Sequence, residues 1–438
     1  MSQLKEDLML KLKNRTAKLG VVGLGYVGLP LAVEKAKAGY DVIGFDVQEQ
    51  KVDMVNNGVN YIGDIVDEDL KGLVSTGKIK ATTDFSFVAD VDAVSICVPT
   101  PLDKYKQPDL SYVVNSSKSV AKYMHRGLLV VLESTTYPGT TEEVLKPILE
   151  ESGLKCGKDF FLAFSPERVD PGNKQFKTKN TPKVVGGCTE ECTEVAAMLY
   201  RSVLESDVME VSSPAVAEME KILENTFRNI NIALANEMAI LCKKMGIDVW
   251  EVIDAAKTKP YGFMPFYPGP GLGGHCIPLD PFYLSWKAKE YDYHTRLIET
   301  SGEINDYMPE FVVDNAMKLL NTHRKSLNGA KVLLLGVAYK NDIDDMRESP
   351  ALKVIEHLEK NGADIIYNDP FIPKFKHNGK EYISVAWKEN IDGADIVIIT
   401  TNHGCYEYQD IVDRAKLIYD TRNATKDVKN NREKINKL

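Results

Sequence analysis

Short apolar runs alternating with helical patterns at both ends of the chain, and one unbroken helical stretch between them, predict an α/β protein. The expected plan is two doubly wound domains joined by a central helical domain with one long helix. Three observations carry it. Apolar runs at 18–22, 41–46, 93–98, 128–133 and 160–164 are separated by helical segments, as buried parallel strands and their crossover helices are. Residues 214–245 contain no glycine, and no proline after Pro214, so they read as one helix. A second series of apolar runs follows at 331–335, 364–368, 394–400 and 416–420. The expected domains are 1–210, 211–325 and 326–438.

The elements follow in order. Residues 1–18 are charged and read as a short amphipathic helix. The strand 18–22 leads through a glycine turn into a helix that ends near Gly39, and the strand 41–46 follows. In the middle, the long helix ends at Gly246 and a second helix spans 248–257. A loop rich in proline and glycine covers 259–281, and helix resumes to about residue 320. In the last domain a helix at 349–361 separates the first two strands. The Lys/Asn-rich tail after Asp427 is expected to fray.

Charge and cysteine usage narrow the function. The 438 residues carry a net charge of −9, which argues against nucleic acid or an anionic membrane as the main partner. The uncharged run 21–33 holds three glycines and a proline, too short and too broken to span a membrane. The seven cysteines are scattered without C-x-x-C pairs. No disulfide framework or metal cluster is expected, and a cytoplasmic location fits.

Gly23-Leu24-Gly25-Tyr26-Val27-Gly28 follows a strand and opens a helix. The first glycine permits the turn, the second lets a pyrophosphate approach, and the third lets helix and strand pack closely. Asp46 ends the next strand, 18 residues after Gly28. A carboxylate there accepts from both ribose hydroxyls and repels a 2′-phosphate, which selects NAD over NADP. The 326–438 segment has the same strand–turn–helix layout without the G-x-G-x-x-G pattern. A second dinucleotide is not expected there. Lys340 and Arg347 could instead neutralise the phosphates of another nucleotide, and Arg422 is a further basic group at a strand end.

Cys276 lies in the glycine-rich stretch 269–281, and is read as a nucleophile rather than as a small buried hydrophobe. Glycines 269, 271, 273 and 274 are read as leaving room for a ligand, with Asp280 and His275 as nearby polar groups. His275 is next to the thiol in sequence, so its side chain can point away from it. Lys221, Asn225 and Arg228 share one helix face at i, i+4 and i+7. They make either an oxyanion site or a solvated face. Glu167, Ser134-Thr135 and Pro99-Thr100-Pro101 each follow a strand of the first sheet, where such sheets bind ligands. Each reads equally as site or turn.

These motifs, in this order and over essentially the whole length, resemble the nucleotide-sugar 6-dehydrogenases, the UDP-glucose/GDP-mannose dehydrogenase family. The resemblance implies an NAD-binding Rossmann domain at 1–210, a central helical dimerisation and catalytic domain at 211–325, and a Rossmann-like UDP-sugar domain at 326–438. It implies four-electron oxidation of a sugar C6 hydroxyl to an acid, through a thiohemiacetal and a thioester on Cys276. Lys221 and Asn225 would stabilise oxyanions, Glu167 would act on the hydrolytic water, Asp280 would support the thiol, and Thr135 would sit near the nicotinamide. The cofactor side would comprise Gly23, Gly25, Tyr26, Val27, Gly28, Asp46, Pro99, Thr100, Thr135 and Arg347. The substrate side would comprise Glu167, Arg168, Lys221, Asn225, Tyr267, Gly273, Lys340 and Arg422. The long helix would form the core of a homodimer or higher oligomer.

Within the family, residues 266–278 with His275, followed by 280–284, look most like the UDP-N-acetylglucosamine 6-dehydrogenases of surface polysaccharide or glycan precursor synthesis. The UDP-N-acetylmannosamine enzymes are the runner-up, and the UDP-glucose enzymes carry serine before the cysteine. No arginine stands between Ala255 and Gly271, where Lys257 and Lys259 are the cations. A two-electron hydroxyacid dehydrogenase leaves Cys276 and the last domain unexplained. A cysteine hydrolase leaves the dinucleotide motif unexplained. A non-catalytic nucleotide-binding protein leaves the polar site residues unexplained.

Overall fold

The computed structural model describes residues 2–63, 65–103, 105–169, 173, 175–274 and 276–438. The chain divides into two compact units. The first is Met1–Glu224 with Trp286–Tyr293, and the second is Asn225–Ser285 with His294–Leu438.

The first unit is built on eight strands: β1 (Lys18–Val22), β2 (Asp41–Phe45), β3 (Ile79–Thr82), β4 (Ala93–Ile96), β5 (Leu129–Leu132), β6 (Phe161–Phe164), β7 (Lys183–Gly187) and β8 (Val208–Val211). Their order is β3-β2-β1-β4-β5-β6-β7-β8. Every pair is parallel except β6 with β7. Every residue of β4, β5 and β6 is buried, as strands covered on both faces must be. That is why they stand out in the sequence as continuous apolar runs. Strands β3, β7 and β8 carry lysine, glutamate or paired glycines and do not stand out. Strand order reverses between β1 and β4, so the loops after these strands flank the crevice where such sheets bind ligands. The N-terminal helix Ser2–Asn14 buries Leu8 and Leu12.

The second unit carries β9 (Lys331–Leu335), β10 (Asp364–Asn368), the hairpin β11 (Lys374–His377) and β12 (Lys380–Ile383), then β13 (Ile396–Ile399), β14 (Ile418–Asp420) and β15 (Ile435–Lys437). Five of them form a parallel sheet in the order β10-β9-β13-β14-β15. The expected frayed tail is thus corrected: β15 pairs with β14, and Leu438 is 5% exposed. Lys243 donates to the Lys437 carbonyl at 2.6 Å. An edge strand of only Ile435, Asn436 and Lys437 has no apolar run to reveal it.

The long helix spans Pro214–Met245, and the division between the units falls within it. The helix Val249–Ala256 is capped by Asp248, whose carboxylate accepts the Trp250 N–H at 2.9 Å. A helix also starts at Cys276 and runs to Ala288 with Pro281 inside it, where the sequence suggested loop as far as 281. Proline has no N–H to give the carbonyl four residues back, here that of Ile277. Asn229 supplies the missing donor, at 3.0 Å. No helix among the described residues is long and apolar enough to cross a membrane.

Candidate active site

In the first unit the glycine loop has the shape of a dinucleotide cradle. Gly23 has φ +89°, and a Cβ there would lie 2.6 Å from the Cys97 carbonyl oxygen. A Cβ on Gly28 would lie 1.8 Å from the Gly23 oxygen. Around Gly25 a Cβ would meet nothing within 4 Å, which leaves that face open to a phosphate at the start of the helix Gly28–Lys37. Val27 is the residue before this helix and packs on the core, while Tyr26 is exposed. Asp46 is 7% exposed. One of its oxygens accepts the Leu24 N–H and the other the Gln48 N–H, each at 2.9 Å. The cradle fits NAD: close approach at Gly25, and a carboxylate fixed beside the loop.

The loops after β4 and β5 are tied together. Ser134 Oγ accepts the Val98 N–H at 3.0 Å and donates to the Val98 carbonyl at 2.7 Å. Thr100 donates to the Thr135 carbonyl at 2.7 Å. Pro99 is exposed between these ties and Thr135 is half-buried.

Glu167 turns one oxygen onto its own loop, accepting the N–H groups of Arg168 at 2.9 Å and Val169 at 2.8 Å. Its other oxygen lies 3.7 Å from Lys183 Nζ. Lys183 is buried and pairs with Glu133 at 2.7 Å, and Tyr200 donates to Glu133 at 2.6 Å. Burial favours neutral Lys183, but the Glu133 and Glu167 carboxylates outweigh it and hold the ammonium above the usual lysine range. Arg168 is engaged by Glu224 and Glu220 and donates to the Pro182 carbonyl at 2.9 Å. Lys221 is buried, 5% exposed.

In the second unit Cys276 is exposed and is the first residue of its helix. A helix N-terminus favours the thiolate over the thiol. Asn225 donates to Asp280 at 2.6 Å, both buried, and Arg228 donates to Asn225 Oδ1 at 3.2 Å. Asn229 holds the Ile277 carbonyl, and its own oxygen accepts from Ser301 at 2.9 Å. Asn236 accepts the Gly269 N–H and donates to Asn305, each at 2.9 Å. A ladder of amides thus fixes the thiol's loop from below. Sequence reasoning took in Asn225 alone, although 225, 229 and 236 fall on one helix face.

The glycines before Cys276 have another purpose than the one the sequence suggested. A Cβ at Gly269 would meet Arg422 Nη1 at 2.5 Å, and one at Gly273 would meet Tyr339 Cβ at 2.5 Å. Gly271 has φ +131° and faces Pro350, and Gly274 has φ +83° and faces the Tyr339 ring. These positions are small because the loop lies directly on protein, not to leave space for a ligand. Burial lowers the proton affinity of Arg422, to about 10, against the pull of Asp420. Tyr267 donates to Asp254 at 2.8 Å and stacks on Trp250. Arg347 forks onto Asp345 at 3.0 and 2.7 Å, in the unit that lacks the dinucleotide loop. Lys340 is half-buried in the loop after β9. His275 lies outside the described residues.

Three family models match the chain in succession: the NAD binding domain of the UDP-glucose/GDP-mannose dehydrogenase family over 17–204, its central domain over 215–307, and its UDP binding domain over 333–427. The chain belongs to this family. It is 40% identical over 362 residues to UDP-N-acetyl-D-glucosamine 6-dehydrogenase of Pseudomonas aeruginosa, covering 81% of this chain and 83% of that one. It is 37% identical over 416 residues to UDP-N-acetyl-D-mannosamine dehydrogenase of Pyrococcus horikoshii, covering 94% and 96%. The solved structure of UDP-D-ManNAc dehydrogenase from Pyrococcus horikoshii matches with a TM-score of 0.85 at 36% identity, covering 93% of this chain and 96% of that one. The protein is therefore an NAD-dependent nucleotide-sugar 6-dehydrogenase.

Proposed function

We propose that this dehydrogenase oxidises the C6 hydroxyl of UDP-N-acetyl-D-glucosamine to the uronic acid through a thiohemiacetal and a thioester on Cys276, for surface polysaccharide or glycan precursor synthesis in the cytoplasm. The observation that carries the route is Cys276 at a helix N-terminus whose first turns are fixed by Asn225 on Asp280 and Asn229 on Ile277. NAD bound at the glycine loop supplies the hydride acceptor for each of the two oxidations. The Cys276 sulfur adds to C6 of the aldehyde, which keeps a reactive intermediate from escaping. Lys221 and Asn225 donate to the oxyanion that forms as sulfur adds, and again as water attacks the thioester. Glu167 takes the proton of that water, and hydrolysis returns the thiol and releases the acid. Asp280 holds Asn225 and the water network, and Thr135 faces the nicotinamide.

The cofactor side comprises Gly23, Gly25, Tyr26, Val27, Gly28, Asp46, Pro99, Thr100 and Arg347. Lys340 and Arg422 hold the UDP, and Arg168, Tyr267 and Gly273 border the sugar. The 40% relative with the N-acetylglucosamine name supports the substrate. The 37% relative keeps N-acetylmannosamine as the second reading.

The test is NADH formed per sugar on UDP-N-acetylglucosamine, UDP-N-acetylmannosamine and UDP-glucose. Two NADH per UDP-N-acetylglucosamine, lost in Cys276→Ala, is the expected result. Two NADH on UDP-N-acetylmannosamine alone replaces the substrate. One NADH, indifferent to the thiol, removes the covalent route.

The active form is a homodimer or higher oligomer in this reading. Leu223, Phe227, Leu234, Leu241 and Met245 on the long helix are 46–63% exposed, and 227, 234 and 241 repeat every seven residues, the spacing of a helix seam. Leu234→Asp with Leu241→Asp is expected to halve the sedimenting mass. An unchanged mass removes the seam from the interface.

A further inference from the structure

The crevice of the second sheet lies between β9 and β13, where strand order reverses. The loop after β9, 336–342, carries Lys340. A turn of this length holds one conformation only where something fixes it. The fixing comes from the segment 400–404 and from the end of β10. Thr401 Oγ1 donates to the Ala338 carbonyl at 2.6 Å. Asp342, at φ +61°, accepts the Gly404 N–H at 2.7 Å. Asp369 accepts the Val337 and Ala338 N–H groups at 2.7 and 3.0 Å.

His403 joins these tethers. It is fully buried. Its Nδ1 accepts the Asp342 N–H at 2.9 Å. That fixes the tautomer, so Nε2 carries the proton and donates to Asp369 at 3.1 Å. The His403 ring packs against Phe371 and Tyr406, but a histidine that merely filled the core would not also place both nitrogens on loop partners. This one spends both nitrogens on the two ends of the Lys340 loop, through Asp369 at 337–338 and directly at 342.

We infer that His403 is the positioning residue that holds the 336–342 loop, and with it Lys340, in the form that receives the nucleoside diphosphate. The inference rests on the proposal that Lys340 binds UDP. A lysine on an untethered loop must be ordered at each binding event, and that cost falls on affinity rather than on the chemistry at C6.

Two variants separate the two bonds. His403→Asn keeps an oxygen near the Nδ1 position, for the Asp342 N–H. His403→Gln keeps a donor near the Nε2 position, for Asp369, and leaves the Asp342 N–H without an acceptor. UDP binding to the full-length protein by calorimetry, with melting temperature alongside, is the readout. His403→Gln is expected to weaken UDP about tenfold and to raise the KM for the UDP-sugar in step. NAD affinity stays unchanged and kcat stays within about twofold. His403→Asn should lie nearer the parent. Thr401→Val, which deletes the neighbouring tether, is expected to give the same KM-only signature and serves if the histidine variants do not fold. In a double-mutant cycle, His403→Gln adds little once Lys340→Met is present.

The inference falls if folded His403→Gln and Thr401→Val bind UDP as the parent does, while Lys340→Met weakens it. It falls equally if the losses follow melting temperature and kcat declines with KM. Unchanged UDP affinity in Lys340→Met brings down the Lys340 proposal itself, and this inference with it.

Discussion

Gly23 follows β1 in the first unit and Gly336 follows β9 in the second, and both take a positive φ, +89° and +85°. In each a Cβ would strike a neighbouring strand-end loop, at Cys97 O in one and Thr401 Cβ in the other, 2.6 and 2.3 Å away. An aspartate after the next strand holds each loop. Asp46 takes one N–H from its loop and one from its own turn. Asp369 takes two from its loop, two from Phe371 and Ile372, and one from His403. A carboxylate has about four lone-pair positions. Asp46 retains capacity for a ribose, and Asp369 has none. The same strand–loop–carboxylate device is open to a dinucleotide where G-x-G-x-x-G follows it. Where the protein's own groups fill the acceptor, it is closed.

The sharpest way to break this comparison is at the glycines. Gly28→Ala puts a methyl 1.8 Å from backbone oxygen, a clash no rotamer relieves. NAD affinity should fall by more than about a hundredfold in calorimetry, with UDP binding kept. Gly25→Ala has open space around it. It should melt like the parent yet bind NAD about tenfold more weakly, because the methyl meets the pyrophosphate. Parent-like NAD affinity in Gly25→Ala would show that the cradle is not where the cofactor lies.

The two aspartates give the next effect. Asp46→Asn should lower NAD affinity with little change in melting. Asp369→Asn should leave NAD alone and destabilise the second unit by about 1–3 kcal/mol. Burial raises the Asp369 carboxyl, but the His403 and backbone hydrogen bonds outweigh it and hold it below the usual carboxylate range. A depressed folded-state value stabilises above the unfolded value, near 3.8, and is lost as pH falls through the folded one. Parent stability should therefore drop below about pH 4 with a slope that Asp369→Asn lacks. Denaturant melts across pH test it, and equal slopes in parent and variant would deny Asp369 this role.

The smallest effect concerns the edge of the second sheet. Removing 434–438 deletes β15 and the pair of Lys437 with Asp248 at 2.5 Å. The second unit should lose about 1–3 kcal/mol, with NAD affinity unchanged. No shift in melting would return the tail to the frayed state its composition suggested.

What was legible in the sequence was whatever burial writes as a run. Strands β4, β5 and β6 are buried throughout and were found within a residue or two at each end. Strands β3, β7, β8 and β15 mix charge or glycine into four or five residues or fewer and were not. The glycine loop Gly23–Gly28 was legible because a strand and a helix frame it, and Cys276 was singled out by its glycine-rich setting. Lys221 could not be told from a solvated helix face on spacing alone and became a candidate only through the family resemblance. Partners distant in sequence were not legible. Nothing local in Lys183 announces Glu133 and Glu167, and nothing in His403 announces Asp342 and Asp369. The glycines at 269–274 were misread because a sequence records a missing Cβ without recording what fills its place.

Asn229 and Asn236 fasten the loop of Cys276 with amides, which carry no net charge. Dissolved salt weakens attraction between charges and leaves such bonds alone. A surface pair such as Lys353 with Asp306, 3.3 Å apart and half exposed, fades as ionic strength rises. The anchoring of the thiol does not. The amide anchoring of the Cys276 loop is therefore expected to persist as salt is added, while the binding of the charged nucleotides weakens.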